Sequence, residues 1–513
     1  LHSNKDRNYY HMPYTALSDL LARGSDLPLT GDQEEAIAAL IDYLDDPSPY
    51  TVYLLRGYAG TGKTYLLRWI TEAAISSGLQ VELMASTGRA AKVLAAATGR
   101  RAATIHRTIY RASSQMQEEG GTFQLASSSP ERRPTLYIVD EASMISGSSG
   151  EYSPFGSGNL LDDLLAYVFG SEGSRLLLVG DTAQLPPVGM ELSEALDPEV
   201  LSGRYGLTVY GAELRQVVRQ RQGGILHNAT ALRDLIDEYS DSEPEDYLPI
   251  HLETEDWRGI YPVEPGEFFE DLEEAYQRYG REETLVICPS NRLALECNQA
   301  IRGELLYYEE QLVPGERLIV ARNNYHYTRL RDHSDFIANG EVIELRRVLR
   351  YWHEYELDFA DALVYLPDRD EQLEVRLLVS ALTDPSPQRS AEQRQELFDR
   401  ISADYAHISS VVERRRAIRR DKFWGALEVK YAYAVTAHKA QGGQWRCVFV
   451  DLSLAGRYLP LDRSMARWIR LDFPNLATVG FIPVGSKLLC AQQMKLDFQG
   501  RSEERRVGKE CTS

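Results

Sequence analysis

The stretch Gly57-Tyr58-Ala59-Gly60-Thr61-Gly62-Lys63-Thr64 has the spacing G-x-x-x-x-G-K-T. Glycines let a backbone curl until successive N–H groups point at one anion. A helix starting at Lys63 adds the partial positive charge of its N-terminus. Lys63 is placed to reach the outer phosphates of ATP, and Thr64 to ligate Mg2+. Gly57, Gly60, Thr61 and Gly62 complete the cradle. Asp140-Glu141 lies 77 residues beyond Lys63 and follows the apolar run Leu136-Tyr137-Ile138-Val139. Alone, an Asp-Glu pair at a strand end is weak, because strand ends are often acidic. Behind a phosphate loop it offers what hydrolysis needs. Asp140 would hold Mg2+, directly or through water, and Glu141 stays free to polarise the attacking water. Gly180-Asp181-Thr182-Ala183-Gln184-Leu185-Pro186-Pro187-Val188-Gly189 follows another apolar run. A lone Gln in a Pro-rich loop is ordinarily a surface turn. After a third strand, the neutral Gln184 amide suits sensing of the γ-phosphate or of the attacking water.

Such groups need a rigid frame. Between residues 28 and 210, short Val/Ile/Leu-rich runs at 52–55, 81–84, 136–139 and 176–179 alternate with helical patterns. That alternation predicts a buried parallel sheet. Further runs at 284–287 and 448–450 predict a second α/β domain whose chain is interrupted. The interruption, 313–425, carries alternating strand-like runs at 317–320, 342–345, 362–365 and 375–379. Asn339-Gly340 between two of them is a hairpin signal. A small β-barrel-like insert is expected there, and a polar arm or loop at 113–134. Asp241–Asp256 reads as an acidic solvated connector. Arg414-Arg415-Arg416-Ala417-Ile418-Arg419-Arg420 is either a solvated helical face or a nucleic-acid contact.

Length and composition bound the rest. At about 150 residues per domain, 513 residues predict three to four domains. An apolar content of 43% with 26% charged residues excludes a mostly disordered chain. A net charge of −20 excludes a uniformly basic nucleic-acid coat, but not a local basic channel. No apolar run approaches the length of a membrane span, and Leu1–Tyr14 lacks a signal-peptide core. Five cysteines without C-x-x-C spacing fit a reducing cytoplasm better than a disulfide or metal framework. Met12 is a candidate true start.

The phosphate loop, Asp140-Glu141-Ala142-Ser143 and Gly180–Val188 together resemble superfamily 1 helicases of the RecD-like, 5′-to-3′ branch. The resemblance runs over roughly 28–465. It implies two RecA-like P-loop motor domains, at 28–210 and at 211–312 with 426–469, after an N-terminal extension at 1–27. The insert at 313–425 resembles the family's SH3-like domain. Leu29-Thr30-Gly31-Asp32-Gln33 resembles the adenine-reading segment, so Gln33 would contact the base. Ala85-Ser86-Thr87-Gly88-Arg89 resembles the first single-strand-binding motif, assigning Ser86, Thr87 and Gly88 to DNA. Thr104-Ile105-His106 resembles the strand-contacting segment after it. Leu214–Gln220 resembles the motif that places Arg219 near the γ-phosphate, with Arg215 as a rival. Thr436–Gly442 resembles the motif coupling DNA to ATP, through His438, Lys439 and Gln441. The implied partner is single-stranded DNA at duplex junctions with a 5′ tail, served by a monomer with ATP and Mg2+.

Bland alternatives stand beside several of these. His106 is as well read as a helix-start packing residue. Trp445 reads as core rather than as a base-stacking ring. Ser290-Asn291-Arg292 either caps a helix or binds backbone phosphate. An RNA helicase of the same superfamily, and a nucleotide-gated DNA-binding module without unwinding, remain open alternatives to a DNA helicase.

The pattern dissolves near residue 470. The family carries a Thr-Arg motif soon after the Thr436–Gly442 segment, and no Thr-Arg pair follows here. Residues 501–513 resemble a translated sequencing adapter. The expectation is therefore a tail at 470–513 that is out of frame and then adapter-derived, with weakened hydrolysis as the consequence.

Overall fold

The computed structural model describes residues 12–478 apart from 25–27, 59, 113–122, 127–132, 146–155, 183, 185–191, 217–223, 239–251, 255, 256, 258, 265, 325, 328–336, 442 and 453–467. The chain divides into two compact units.

The first unit is built on strands β1 (Thr51–Gly57), β2 (Gln80–Ala85), β3 (Ala102–Thr104), β6 (Thr135–Asp140), β7 (Arg175–Gly180) and β8 (Thr208–Leu214). Their order is β3-β2-β6-β7-β1-β8, and every pairing is parallel. Alternation along each strand feeds two cores. Val52, Leu54, Val139, Leu176 and Leu178 enter one. Tyr53, Leu55, Ile138, Leu177 and Val179 enter the other. A sheet covered on both faces must be apolar on both, which is why its central strands read as unbroken apolar runs. Helices α1 (Met12–Ala22), α2 (Gly31–Asp45) and α3 (Lys63–Ser76) supply the second core. Helix α4 (Gly88–Thr98) follows β2, and α5 (Ile105–Ile109) follows β3.

Two boundaries differ from the sequence reading. Strand β8 pairs with β1 through Leu214, so the first sheet continues past residue 210. It is an edge strand, half exposed along most of its length, and so lacks the apolar run that marked its neighbours. The expected arm at 113–134 begins and returns as a hairpin. Strand β4 (Tyr110–Ala112) pairs antiparallel with β5 (Phe123–Leu125), and 113–122 and 127–132 lie outside the described residues.

The second sheet contains β9 (Ile260–Val263) and β10 (Thr284–Cys288). The chain then leaves for a closed barrel of β11 (Arg317–Val320), β12 (Val342–Glu354), β13 (Leu357–Leu366), β14 (Glu371–Leu378) and β15 (Leu427–Tyr431). It returns to the second sheet with β16 (Ala434–Thr436), β17 (Gln444–Asp451) and β18 (Trp468–Thr478). The barrel thus closes with residues beyond 425. Helices Ala391–Asp404 and Val411–Arg420 lie between β14 and β15, so the insert is not purely β. Asn339-Gly340 does turn, with Gly340 at φ +83°. It lies in the connection between the antiparallel neighbours β11 and β12, but not as a two-residue hairpin loop: 21 residues separate the two strands, and the Gly340 N–H donates back to the Val320 carbonyl at 2.8 Å. The barrel belongs with the first unit. There Lys92 of α4 pairs with Asp368 at 2.8 Å, on the turn between β13 and β14.

The second sheet runs β16-β10-β17-β18-β9. It is parallel over β16, β10 and β17 only; β18 is antiparallel to both β17 and β9. The expectation of a wholly parallel sheet is corrected to a mixed one. Strand β18 also extends through 470–478, where the sequence pattern had dissolved.

Candidate functional site

The phosphate loop joins the end of β1 to the start of α3. Gly60 and Gly62 sit at φ +83° and +93°, where a side chain would be strained. Gly57 is needed for a different reason. A Cβ there would lie 2.9 Å from Leu214 Cβ and 3.0 Å from Thr61 Oγ1. The loop is held from three sides. Thr61 is buried and donates its hydroxyl to the Tyr58 carbonyl at 2.7 Å. The Tyr58 N–H donates to Leu214 at 3.2 Å. The Lys63 ammonium donates to the carbonyls of Gly57 (2.5 Å) and Tyr58 (3.0 Å). Thr64, the second residue of α3, is exposed.

Acidic groups stand at neighbouring strand ends. Asp140 ends β6, opposite Ala85 of β2. Burial pushes its carboxyl above the usual carboxylate range, against the lowering pull of the Glu141 N–H and the Lys63 charge. Glu141 donates that N–H to Asp140 Oδ1 at 2.9 Å and adopts φ +54°, ψ +42°. Asp181 is buried, with a carboxylate oxygen 3.9 Å from Lys63 Nζ. The motif around Asp181 assigns it no role of its own; its position beside Lys63 does. Its signal was a carboxylate directly after the wholly buried strand β7. Gly180 before it admits close packing: a Cβ there would meet Leu196 at 2.5 Å and the Ser143 N at 3.2 Å. Gln184 is buried, four residues past the end of β7.

This donor set fits a nucleoside triphosphate. The Lys63 ammonium, the left-handed glycines and the N-terminus of α3 are groups of the kind that suit phosphate oxygens. Among the described residues no group of three or more His, Cys, Asp or Glu side chains forms a metal cage. Mg2+ held by phosphates and water needs only one or two protein ligands. Thr64 and Asp140 are of the right kind.

Gln33 is placed differently from the sequence reading. It is buried, and both ends of its amide are used inside the protein. Oε1 accepts from the Thr30 N–H at 3.1 Å, closing a capping box on α2, and Nε2 donates to the Thr61 carbonyl at 2.9 Å. Gln33 therefore braces the phosphate loop. Its neighbour Asp32 accepts the N–H groups of Arg215 and Gln216, each at 2.7 Å, tying α2 to the end of β8. The Arg215 side chain is exposed and pairs with Glu213 at 2.8 Å. Arg219 lies outside the described residues.

The candidate nucleic-acid residues fall at strand ends and helix starts. Ser86 follows β2, and its buried hydroxyl has no hydrogen-bond partner among the described residues. Thr87 caps α4 by accepting from the Ala90 N–H at 3.1 Å, and Gly88 faces open space. His106 lies on α5 against Tyr110, with ring centroids 5.7 Å apart. Burial pushes its imidazole down to about 4, so it is neutral near pH 7 and can offer phosphate only a hydrogen bond. In the second unit, His438 and Lys439 sit on the short helix Ala437–Ala440, with Gln441 next. Burial also lowers the His438 pKa. Two bland alternatives prevail. Trp445 is buried, and Ser290 caps helix Asn291–Ala300 by accepting from the Leu293 N–H at 3.2 Å.

Residues 28–239 match the AAA domain family. Over 184 residues the chain is 33% identical to the ATP-dependent RecD2 DNA helicase of Deinococcus radiodurans. That match takes in 36% of this chain and 23% of the relative's length. Over 479 residues it is 20% identical to uncharacterized protein R530 of Acanthamoeba polyphaga mimivirus, covering 80% of this chain and 91% of that one. Among solved structures it is similar to the Pif1 helicase from Bacteroides in complex with ADP-AlF3 and ssDNA, at 16% identity, 90% coverage of both chains and a TM-score of 0.38. It is likewise similar to the Pif1 helicase from Candida albicans, at 15% identity, 90% and 92% coverage and a TM-score of 0.38. No described helix is long and apolar enough to cross a membrane. The chain thus carries its phosphate loop and acidic strand ends within a segment, residues 28–239, that matches the AAA domain family, and it is similar over part of its length to an ATP-dependent RecD2 DNA helicase.

Proposed function

We propose that this chain is an ATP-dependent DNA helicase or translocase that moves on single-stranded DNA, 5′ to 3′. The observation that carries the reading is Lys63 on one curled loop, with Asp181 at 3.9 Å and Asp140 near enough for the Lys63 charge to pull on its carboxyl. Lys63 would bind the outer phosphates. Thr64 and Asp140 would hold Mg2+, which offsets phosphate charge when bound. Glu141 would orient the attacking water and take its proton, and Gln184 would sense the γ-phosphate. Arg219 would supply the stabilising charge, with Arg215 as substitute. In this reading the two α/β units act as RecA-like motor domains that open and close on hydrolysis, and the barrel corresponds to the SH3-like insert. Ser86, Thr87, Gly88, His106, His438, Lys439 and Gln441 would contact the strand. The preferred substrate would be a duplex with a 5′ tail, worked on by a monomer in the cytoplasm.

Residues 470–513 are read as an out-of-frame, adapter-derived tail. The arginine motif expected there is absent from the sequence. A stabilising arginine is worth roughly 10³ to 10⁵ in rate, so this chain should bind ATP and turn it over slowly. The test is ATP binding and hydrolysis with and without oligo-dT, with Lys63→Ala as the blank. The motor reading expects nucleotide binding that Lys63→Ala abolishes, and DNA-stimulated turnover once the reading frame is restored. Intact ATP binding with no DNA stimulation in the repaired chain would overturn it. Brisk turnover by the unrepaired chain would overturn the tail reading alone.

A further inference from the structure

We propose that the arginine-rich helix Val411–Arg420 of the barrel insert is a docking surface for the sugar-phosphate backbone of duplex DNA. This deepens the reading above and rests on it for the identity of the polyanion. Between Val411 and Arg420 stand five arginines and one Glu, in a chain of net charge −20. The helix is anchored. Ser410 caps its start, accepting from the Glu413 N–H at 3.4 Å, and Ile418 is buried with Leu397 and Ile401 in a small core. Arg414 is part of this anchoring: its guanidinium donates to the Ile408 carbonyl at 3.0 and 2.7 Å.

The remaining arginines face elsewhere. With Ile418 pointing inward at 100° per residue, Arg415, Arg419, Arg416 and Arg420 spread over an adjoining arc. Arg415, Arg419 and Arg420 are exposed. From Arg415 to Arg420 the helix axis rises about 7.5 Å. A planar guanidinium pairs bidentately with phosphate, so such an array suits a polyphosphate.

The choice of duplex over single strand follows from the aromatics. Single-strand surfaces combine positive charge with exposed rings on which bases stack. Here the nearby rings are used beneath the helix: Phe398, Tyr405, Phe423 and Trp424 pack, partly buried, against the small core that holds Ile418. Outward stand Arg415, Arg419 and Arg420 beside Glu413 and the aliphatic Val411 and Val412, with no ring in the helix itself for a base to stack on. The arginine charge matches the dense backbone of a duplex, with one phosphate per about 1.7 Å of axis.

The test compares the whole chain with an R415Q/R419Q/R420Q variant and with R415K/R419K/R420K. Probes are a blunt 20-base-pair duplex and an oligo-dT of equal length. Binding is read by fluorescence anisotropy across a salt series, without nucleotide, and melting temperature checks folding. The Gln variant should lose roughly tenfold or more in duplex affinity at low salt. Its log–log salt slope should fall by about 0.9 for each phosphate that is no longer neutralised. Oligo-dT affinity should stay within about twofold, and the Lys variant should retain most of the slope. An unchanged duplex slope would show a merely solvated face and overturn the proposal. So would equal losses for duplex and oligo-dT, or binding of this helix to anionic vesicles in preference to duplex. No ATP turnover is involved, so failure of the motor reading in the ATPase test leaves this comparison intact.

Discussion

Glu141 donates its backbone N–H to Asp140 Oδ1 at 2.9 Å while its own backbone stands in the left-handed region at φ +54°. A non-glycine residue pays roughly 1–2 kcal/mol for that conformation. The turn fixes the Glu141 backbone relative to the carboxylate before it, and in the proposed mechanism this sets the water-activating base beside the metal-holding carboxylate. Glu141→Gln keeps the backbone and removes the proton acceptor. Nucleotide affinity should stay within about threefold, while hydrolysis falls by about 10² to 10⁴. Single-turnover hydrolysis beside nucleotide titration separates the two. Equal loss of binding and rate would mean that Glu141 positions nucleotide instead.

Gln33 leads to a second prediction. Gln33→Ala leaves the Thr61 carbonyl and the Thr30 N–H without the partners they now have. Each buried group left unmade costs about 1–3 kcal/mol, and here the cost falls on the phosphate loop. ATP and GTP affinities should drop together, with their ratio unchanged. A selective loss of ATP, measured by competition between the two, would assign base reading to Gln33 after all.

Much of this site was legible because its chemistry is local. Gly57–Thr64 dictates its own turn, and Asp140 and Asp181 follow strands whose unbroken apolar runs need no tertiary knowledge. What escaped depends on distant partners. Strand β8 has one neighbour and a half-exposed pattern, so only its pairing with β1 reveals it. The Gln33 brace joins residues 28 apart. Strand β15 closes the barrel beside β14, with Leu427 set against the distant Leu377 and two helices between them in the chain. Strands β10 and β17 were legible as apolar runs, but the three-residue β16 and the antiparallel direction of β18 were not.

His106 makes a pH prediction. Burial lowers its folded pKa to about 4, from an ordinary 6.5. The neutral form is favoured in the fold, so its contribution is fully present above pH 6.5 and is lost as pH falls toward 4. Two and a half units correspond to at most about 3.4 kcal/mol. His106→Gln should flatten the acid limb of the melting-temperature profile between pH 6.5 and 4. At pH 7.5 it should leave the salt slope of oligo-dT binding unchanged, because a neutral ring displaces no counterion. A slope reduced by about 0.7 would show a charged His106 on the strand.

The tip of the barrel's long hairpin carries the last prediction. Tyr355 and Glu356 join β12 to β13 with φ +54° and +59°, the two-residue turn that usually takes Asn-Gly. Helix Ala391–Asp404 holds it there. The Tyr355 hydroxyl donates to Asp404 at 2.5 Å, and Arg400 donates to the Tyr355 carbonyl and to Glu356, both at 2.9 Å. Glu356 is 81% exposed, so its ion pair adds little. Glu356→Gly should relieve about 1–2 kcal/mol of backbone strain, less about 0.4–1 kcal/mol from the looser unfolded chain. The net expectation is a gain of about 1 kcal/mol. Arg400→Ala acts in the opposite direction, because it releases the carbonyl clamp. Urea midpoints for both variants decide the matter: a destabilised Glu356→Gly would show that the Arg400 pair, not the backbone, governs the turn.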